Sequence, residues 1–475
     1  MSEPLNMLPF QPIMIDWILK HPKCSVWAGM GMTKTVCTLM AFSEMLITGE
    51  ARGMLLTAPH RVLAISWPNQ IKRWQEVSWL KFANLRTEEG MQAWRDGSAN
   101  IYGINSERLP SLEKRVKGGL KRYPGFVEKH IKGNKNLPVD MYVCDELSLA
   151  KNPSSKRFNT LRNFLHDIPG RYTSPFRRTL GLTGTPHPNS YLDVFAQIRL
   201  LDPSIFGSSF SRFRDTYFEK ADYLGFTYKL RPGAKERIEE KLADFALVLL
   251  SEEWLDLPDC RIEDVEVVLP AATRTRYETL ERDMLLDLER GGTITAAGAA
   301  PLTVKLLQLT AGCAYLDDAG VHFEHDAKIE ALRKLRKKHA KEPILVLTSF
   351  IHERERYLRE FPDAKHFHER DMGAWQEGKI PMWITDFRSV SHGIDGIQNS
   401  CRVAVWTSPP YSWEGFTQTN KRIHRPGQND ESVVYRLLCP DTIDDAVTAT
   451  LEDKEEGERG MLAAIKGLQA MRKYI

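Results

Sequence analysis

No two of the seven cysteines stand close enough in sequence to clip a metal. They fall at positions 24, 37, 144, 260, 313, 401 and 439, with no Cys-x-x-Cys pair. A structural zinc site is therefore not expected. An odd, dispersed set is no disulfide framework either, so the seven read as reduced cytosolic thiols packed in cores. No apolar run reaches the ~18 residues of a membrane span. Runs such as residues 245–250 have the length of a buried strand. The opening Met-Ser-Glu-Pro lacks the basic-then-apolar order of a secretory signal. Low-complexity tracts and short repeats are missing as well. No two histidines stand at i, i+4 beside an acid, and His366 and His368 sit in a polar stretch where solvation is the natural reading.

What is present is ordinary soluble-protein composition, with length for two or three domains in 475 residues. The net charge of +3 admits nucleic acid without demanding it, so any such case must come from local charge. Along the chain, short apolar runs recur, each followed by a turn and a longer helical pattern. Residues 26–28 precede a Gly-rich turn and a helix over 35–46; residues 53–58 precede Pro59 and a helix near 67–74. Residues 139–144 run into Asp145-Glu146, and 179–183 into Gly184-Thr185-Pro186. This alternation predicts an α/β fold, parallel sheets with helices on both faces and the chemistry at the carboxyl ends of the strands. The pattern restarts with strands expected at 344–348, 382–385, 402–406 and 432–438. Between the halves the periodicity is helical and charge is dense, with a loose loop at Gly291-Gly292 and 296–300. The expected organisation is a first lobe over 1–204, a helical bridge over 205–325 and a second lobe over 326–475.

Residues 28–35, Ala-Gly-Met-Gly-Met-Thr-Lys-Thr, follow an expected strand and open an expected helix. Backbone N–H groups of a tight loop and of a helix start face an anion well, so this is a candidate P-loop. Gly29, Gly31, Thr33, Lys34 and Thr35 are its candidate nucleotide contacts. Lys34 reaches toward the outer phosphates and the Thr35 hydroxyl toward Mg²⁺. Thr33 stands where such loops usually carry glycine, and Ala28 replaces the first glycine; both restrict the backbone. A plain helix start is the competing reading. Asp145 and Glu146 end an apolar run. There one carboxylate suits Mg²⁺ (Asp145) and its neighbour the attacking water (Glu146). Two solvated acids opening a helix are the plainer alternative.

Taken in order, these segments resemble the helicase-like ATPases of superfamily two, and within it the Swi/Snf group of double-stranded DNA translocases. Phe10-Gln11 resembles the adenine-reading Gln segment; residues 28–35 resemble motif I; Thr57-Ala58-Pro59 with Trp67 and Trp74 resemble motif Ia. Asp145-Glu146 with Lys151, Asn152 and Ser155 resembles motif II, although Leu147-Ser148 replaces the usual x-His. Leu182-Thr183-Gly184-Thr185-Pro186 with Asn189 resembles motif III, 344–350 motif IV, and 391–398 motif V with one extra residue. Residues 418–428 reproduce the Gln-x-x-x-Arg-x-His-Arg-x-Gly-Gln form of motif VI, and Thr442, Asp444 and 451–454 resemble the tail of compact phage and prophage members. The resemblance implies two RecA-like lobes of the P-loop NTPase class, ATP and Mg²⁺ as cofactors, and duplex DNA as partner. It implies a chain active as a monomer in the cytoplasm of a bacterial or phage-infected cell. Gln11 and Gln418 then join the nucleotide-binding residues, and Lys34, Asp145, Glu146, Arg422 and Arg425 form the catalytic set.

Arg422 and Arg425 are three apart and would share a face on a helical turn. Always charged and suited to bidentate phosphate contact, they would serve as arginine fingers for a nucleotide bound by the first lobe. Gln418 and Gln428 would fix their placement. A basic surface helix is the alternative, which leaves the glutamines and Pro-Gly without a purpose. The hydroxyls of Thr183 and Thr185 would sense the phosphate site, against a simple tight turn. Between residues 113 and 135, eight basic residues (Lys114, Arg115, Lys117, Lys121, Arg122, Lys129, Lys132, Lys135) face two acids (Glu113, Glu128). This is either a DNA-facing insertion or a solvated surface segment. Three activities follow: a DNA-dependent ATPase translocating on duplex, a strand-separating helicase, or a nucleotide-gated binding module with weak hydrolysis.

Overall fold

Short apolar runs that end in a turn become parallel strands in the computed structural model. It describes all residues except 1, 111, 117–118, 124, 132–135, 168–172, 187–189, 222–227, 291–295, 317–319, 392–393, 411 and 473–475. Asn189, Gly291, Gly292, His392, Gly393, Lys117, Lys132 and Lys135 lie outside the described residues. The chain separates into two units, residues 1–255 with 456–475, and residues 256–455.

The first unit carries β1 (Lys23–Ala28), β2 (Met54–Thr57), β3 (Phe82–Asn84), β4 (Ile101–Ile104), β5 (Leu112–Val116), β6 (Gly119–Tyr123), β7 (Met141–Asp145), β8 (Arg178–Thr183), β9 (Phe218–Lys220), β10 (Tyr228–Leu230) and β11 (Ala246–Leu249). Seven of them form one sheet in the order β11-β1-β8-β7-β2-β4-β3, every neighbouring pair parallel. β5–β6 and β9–β10 are separate antiparallel pairs. Parallel sheets bury both faces, and alternate residues go to opposite cores here. Leu55 and Tyr142 enter one cluster; Leu56, Met141 and Val143 enter the other. Gly181 matters because a Cβ there would come within 2.5 Å of Leu147 and 2.6 Å of Leu201. Its absence lets the segment after β7 close down over β8. Gln469 seals the β11 edge, donating to the carbonyls of Ala243 and Ala246 and accepting from the Val248 N–H.

The second unit carries β12 (Cys260–Glu266), β13 (Cys313–Leu316), β14 (Gly320–Phe323), β15 (Ile344–Thr348), β16 (Ala364–His366), β17 (Met382–Asp386), β18 (Val403–Trp406) and β19 (Ser432–Leu438). Its parallel sheet runs β12-β19-β18-β15-β17-β16. Alternation again splits the cores: Leu345, Leu347 and Trp383 face one, Ile344, Val346 and Met382 the other. Asp444, expected as part of a family-like tail, is fully buried. It accepts from Lys328 Nζ (2.7 Å), Thr310 Oγ1 (2.7 Å) and the Cys439 N–H (3.0 Å). Removing one partner of such a buried pair typically costs ~3–5 kcal/mol.

Residues 205–325, expected to be a helical bridge, do form helices at Phe210–Tyr217, Ala234–Ala243, Ala271–Arg290 and Ala296–Thr310. They also supply β11 to the first sheet and β12 to the second. The run 245–250, with the length of a buried strand, falls inside the expected bridge yet joins the first sheet as β11, and β12 carries four charged residues among its seven because it is an edge strand. Among the described residues no helix is long and apolar enough to cross a membrane.

Candidate nucleotide site

The loop between β1 and the helix Lys34–Thr48 holds Gly29, Gly31, Thr33, Lys34 and Thr35 together. Gly31 has φ 84° and Thr33 φ 45°. For a residue with a Cβ the left-handed region costs ~1–2 kcal/mol. A second side chain braces it. Gln11, buried in the helix Phe10–Lys20, donates from Nε2 to Thr33 Oγ1 at 2.8 Å and accepts from the Leu8 N–H at 2.8 Å. Lys34 Nζ donates to the carbonyls of Ala28 (2.6 Å) and Gly29 (3.0 Å), so its charge rests on the loop itself. Gln11, assigned to the base by resemblance, is committed here to the phosphate loop.

β7 lies between β8 and β2, which brings the carboxylates to the same strand ends. Asp145 accepts from the Trp67 indole N–H at 2.8 Å. Burial pushes its carboxyl up, while the Trp67 bond and the Lys34 charge pull it down. Glu146 has φ 73°. Left-handed backbone at a residue with a side chain persists only where its surroundings over-determine it. Here the surroundings are visible: Glu146 Oε1 accepts from Ser148 Oγ (2.8 Å) and Thr183 Oγ1 (3.1 Å), and the Glu146 N–H donates to Leu182 O (3.0 Å). Thr183 Oγ1 in turn accepts from the Thr185 N–H. A Cβ on Gly184 would lie 3.5 Å from Ala28 O. The phosphate loop, the carboxylates and the Thr-Gly-Thr turn therefore adjoin one another within the first unit. The hard oxygens of Asp145 and Thr35 are the donor type that Mg²⁺ takes, and the Lys34 ammonium with loop N–H groups suits phosphate oxygens.

In the second unit the helix Trp413–Asn420 ends before the arginines. Arg422 and Arg425 occupy turns rather than a helical face, yet both reach one carbonyl. Arg422 donates to Ile394 O (2.6 Å) and Ser391 O (2.5 Å) and is buried. Arg425 donates weakly to Ile394 O (3.4 Å) and pairs with Asp395 (3.4 Å). Gln428 fixes the turn as expected: its amide donates to Gln398, Cys401 and Ile423 carbonyls and accepts from the Asn429 and Asp430 N–H groups. Gln418 does not share that role. It is buried, and among the described residues neither amide atom has a hydrogen-bond partner. His424 Nε2 lies 2.8 Å from Pro258 O, tying the turn to the entry of β12. Ser155, expected beside motif II, caps the helix Lys156–Leu165.

Three partnerships escape the sequence reading: Trp67 with Asp145, Ser148 with Glu146, and Gln11 with Thr33. The signals were there, since Ser148 and Thr33 are two of the departures from the family form, and each sits beside a group it satisfies.

Known proteins resemble this chain over most of its length. The family described as the SNF2-related domain matches residues 22–311, more than half of the chain. The putative protein p41 of Acyrthosiphon pisum secondary endosymbiont phage 1 is 27% identical over 96% of this chain and 98% of its own length. The DNA repair and recombination protein RDH54 of Saccharomyces cerevisiae is 29% identical over 35% of this chain, which spans 16% of that larger protein. Among solved structures, the Sulfolobus solfataricus SWI2/SNF2 ATPase core in complex with dsDNA matches at 16% identity and TM-score 0.44, covering 97% of this chain and 93% of that one. With the family matched over most of the first unit and beyond it, and with its phosphate loop and carboxylates together at the strand ends, this chain belongs to the SNF2-related family of helicase-like ATPases.

Proposed function

We propose that the chain hydrolyses ATP and couples the turnover to movement along duplex DNA without separating the strands. The observation that carries the hydrolytic half is the adjacency of Lys34, Asp145 and the Glu146–Ser148–Thr183 cluster at the carboxyl ends of neighbouring strands. Lys34 leaves the Ala28 and Gly29 carbonyls and holds the outer phosphates. Asp145 and Thr35 would hold Mg²⁺, which would neutralise phosphate charge when bound. Glu146, oriented by two hydroxyls, positions the attacking water and draws its proton. By resemblance, the arginine role on the transferring phosphoryl group falls to Arg425, which is less tightly engaged than Arg422. Arg422 positions the motif V backbone. The DNA half rests on family membership and on the similarity to a yeast DNA repair and recombination protein. A monomeric, cytoplasmic protein is the setting we propose for both.

A specific observation favours a second reading, a nucleotide-gated binding module: Thr33 strains the loop that must close on phosphate. Phosphate release measured with and without duplex DNA decides. Duplex should raise the rate, while Lys34→Ala and Glu146→Gln each reduce it at least ~100-fold. Stimulation by single-stranded RNA but not by duplex would sink the DNA reading; indifference to both substitutions would favour the binding module.

A further inference from the structure

The crossover between β4 and β7 carries the antiparallel hairpin β5–β6, which the nucleotide site does not use. Its root is rigid. Leu109, Phe126, Val127 and Ile131 are buried in the first unit's core, and Phe126 packs edge-on against Trp94 at 5.2 Å. The two legs pinch together at Gly125, where a Cβ would come within 2.3 Å of Leu109 O and 2.4 Å of Pro110 C. The Val127 N–H donates to Leu109 O at 3.4 Å. No residue but glycine passes that pinch without shifting backbone. The root also neighbours the chemistry: Ser106, three residues before Leu109, lines a small cavity with Asp145, Glu146 and Arg157.

Beyond that root the charge is one-sided. Residues 112–123 hold five basic residues against one acid. That net of +4 exceeds the +3 of the whole chain, so all other residues together are slightly acidic. The register pairs Glu113 with Arg122 and Lys114 with Lys121 along the ladder. Like charges facing across a ladder destabilise a bare hairpin. A polyanion laid along the hairpin removes that penalty. Strands of five residues span roughly 17 Å at ~3.4 Å per residue, and the major groove of B-form DNA admits a two-stranded ribbon, whereas that of A-form RNA is too deep and narrow.

We infer that the β5–β6 hairpin is a contact element for the phosphate backbone of duplex DNA, anchored beside the nucleotide site of the first unit. This inference rests on the DNA reading above but is tested apart from turnover. The full chain carrying Lys114→Gln, Arg115→Gln, Lys121→Gln and Arg122→Gln is titrated against a short fluorescent duplex, without ATP, from about 50 to 200 mM salt. Each lost phosphate contact removes ~0.9 from the slope of log affinity against log salt. A loss of about 2–4 in slope and a ~10- to 100-fold weaker affinity at intermediate salt are expected. The melting temperature is measured alongside to establish that the variant is folded. Should the fourfold variant fail to fold, Lys114→Gln with Lys121→Gln alone should cost about 2 in slope. An unchanged slope in a folded variant overturns the inference, as does a wild-type chain that does not bind duplex. Equal weakening toward polyglutamate also overturns it, marking a general polyanion surface. If duplex leaves ATP turnover unchanged while binding falls as stated, the motor reading fails and the hairpin assignment stands.

Discussion

The two units hold their candidate catalytic groups by different means. In the first, Lys34 rests on two backbone carbonyls, but elsewhere side chains hold side chains: an indole N–H on Asp145, two hydroxyls on Glu146, an amide on Thr33. In the second, the backbone does the holding, with Arg422 on the carbonyls of Ser391 and Ile394 and Gln428 spanning five main-chain groups. A side chain held by backbone carbonyls must keep its own donor geometry, because the carbonyls cannot be exchanged. A side chain held by another side chain can change if its partner changes too. This is a physical reason why 418–428 keeps the family form while the phosphate loop and the segment after Glu146 depart from it.

The comparison breaks most visibly at the arginines. Arg425→Ala should lower ATP turnover on the order of 10³-fold with the melting temperature unchanged. Arg422→Ala should also destabilise the second unit by ~1–3 kcal/mol, because two buried carbonyls lose their donor. Phosphate release and thermal melts on both variants check this. An unaltered melt for Arg422→Ala would mean that the backbone does not need it.

A smaller effect sharpens the first unit. Thr33→Gly removes left-handed strain but also the Gln11 bond. Measured by ATP turnover, Gln11→Ala should cost several-fold in the wild-type background and nearly nothing beside Thr33→Gly. That corresponds to a coupling of ~0.5–1.5 kcal/mol, the size of one hydrogen bond. Strict additivity would uncouple the pair.

The smallest expected effect is in pH. With its carboxyl raised above the ordinary aspartate range by burial, Asp145 takes up a proton at higher pH than a free aspartate. Turnover at limiting Mg²⁺ should therefore begin to fall, as pH drops, at a higher pH than an ordinary aspartate would set. Trp67→Phe removes the indole bond that favours the carboxylate and should move that acid limb higher still. For stability the sign is opposite: a raised folded value means the native state binds more protons. The contribution is then present at low pH and is lost as pH rises through the folded value. A pH–rate profile for the two proteins, read against their melts, separates the two effects.

Strand positions were legible because each apolar run is bounded by a turn: 344–348 and 432–438 match the observed strands residue for residue. The loop and carboxylate residues were legible for the same reason, since they begin where those runs stop. What periodicity could not give is pairing across the sheet. β11 is four residues whose neighbour, β1, lies more than two hundred positions away. Nor does spacing along the chain place Trp67 on Asp145, because that contact depends on β2 and β7 lying side by side. The helical face expected for Arg422 and Arg425 failed because the helix stops at Asn420, and their convergence on Ile394 comes from the turn instead.

The thiols offer a practical consequence. Six of the seven cysteines are buried and Cys260 is half-buried. Burial pushes Cys24, Cys37, Cys401 and Cys439 up to about 12 and Cys144 and Cys260 up to about 11, with Cys313 raised as well. The folded chain thus presents almost no thiolate near neutral pH, and thiolate is the form that alkylating dyes attack. A single cysteine introduced at an exposed position would be the dominant labelling site, so fluorescent reporters can be placed on the wild-type background without first removing the seven.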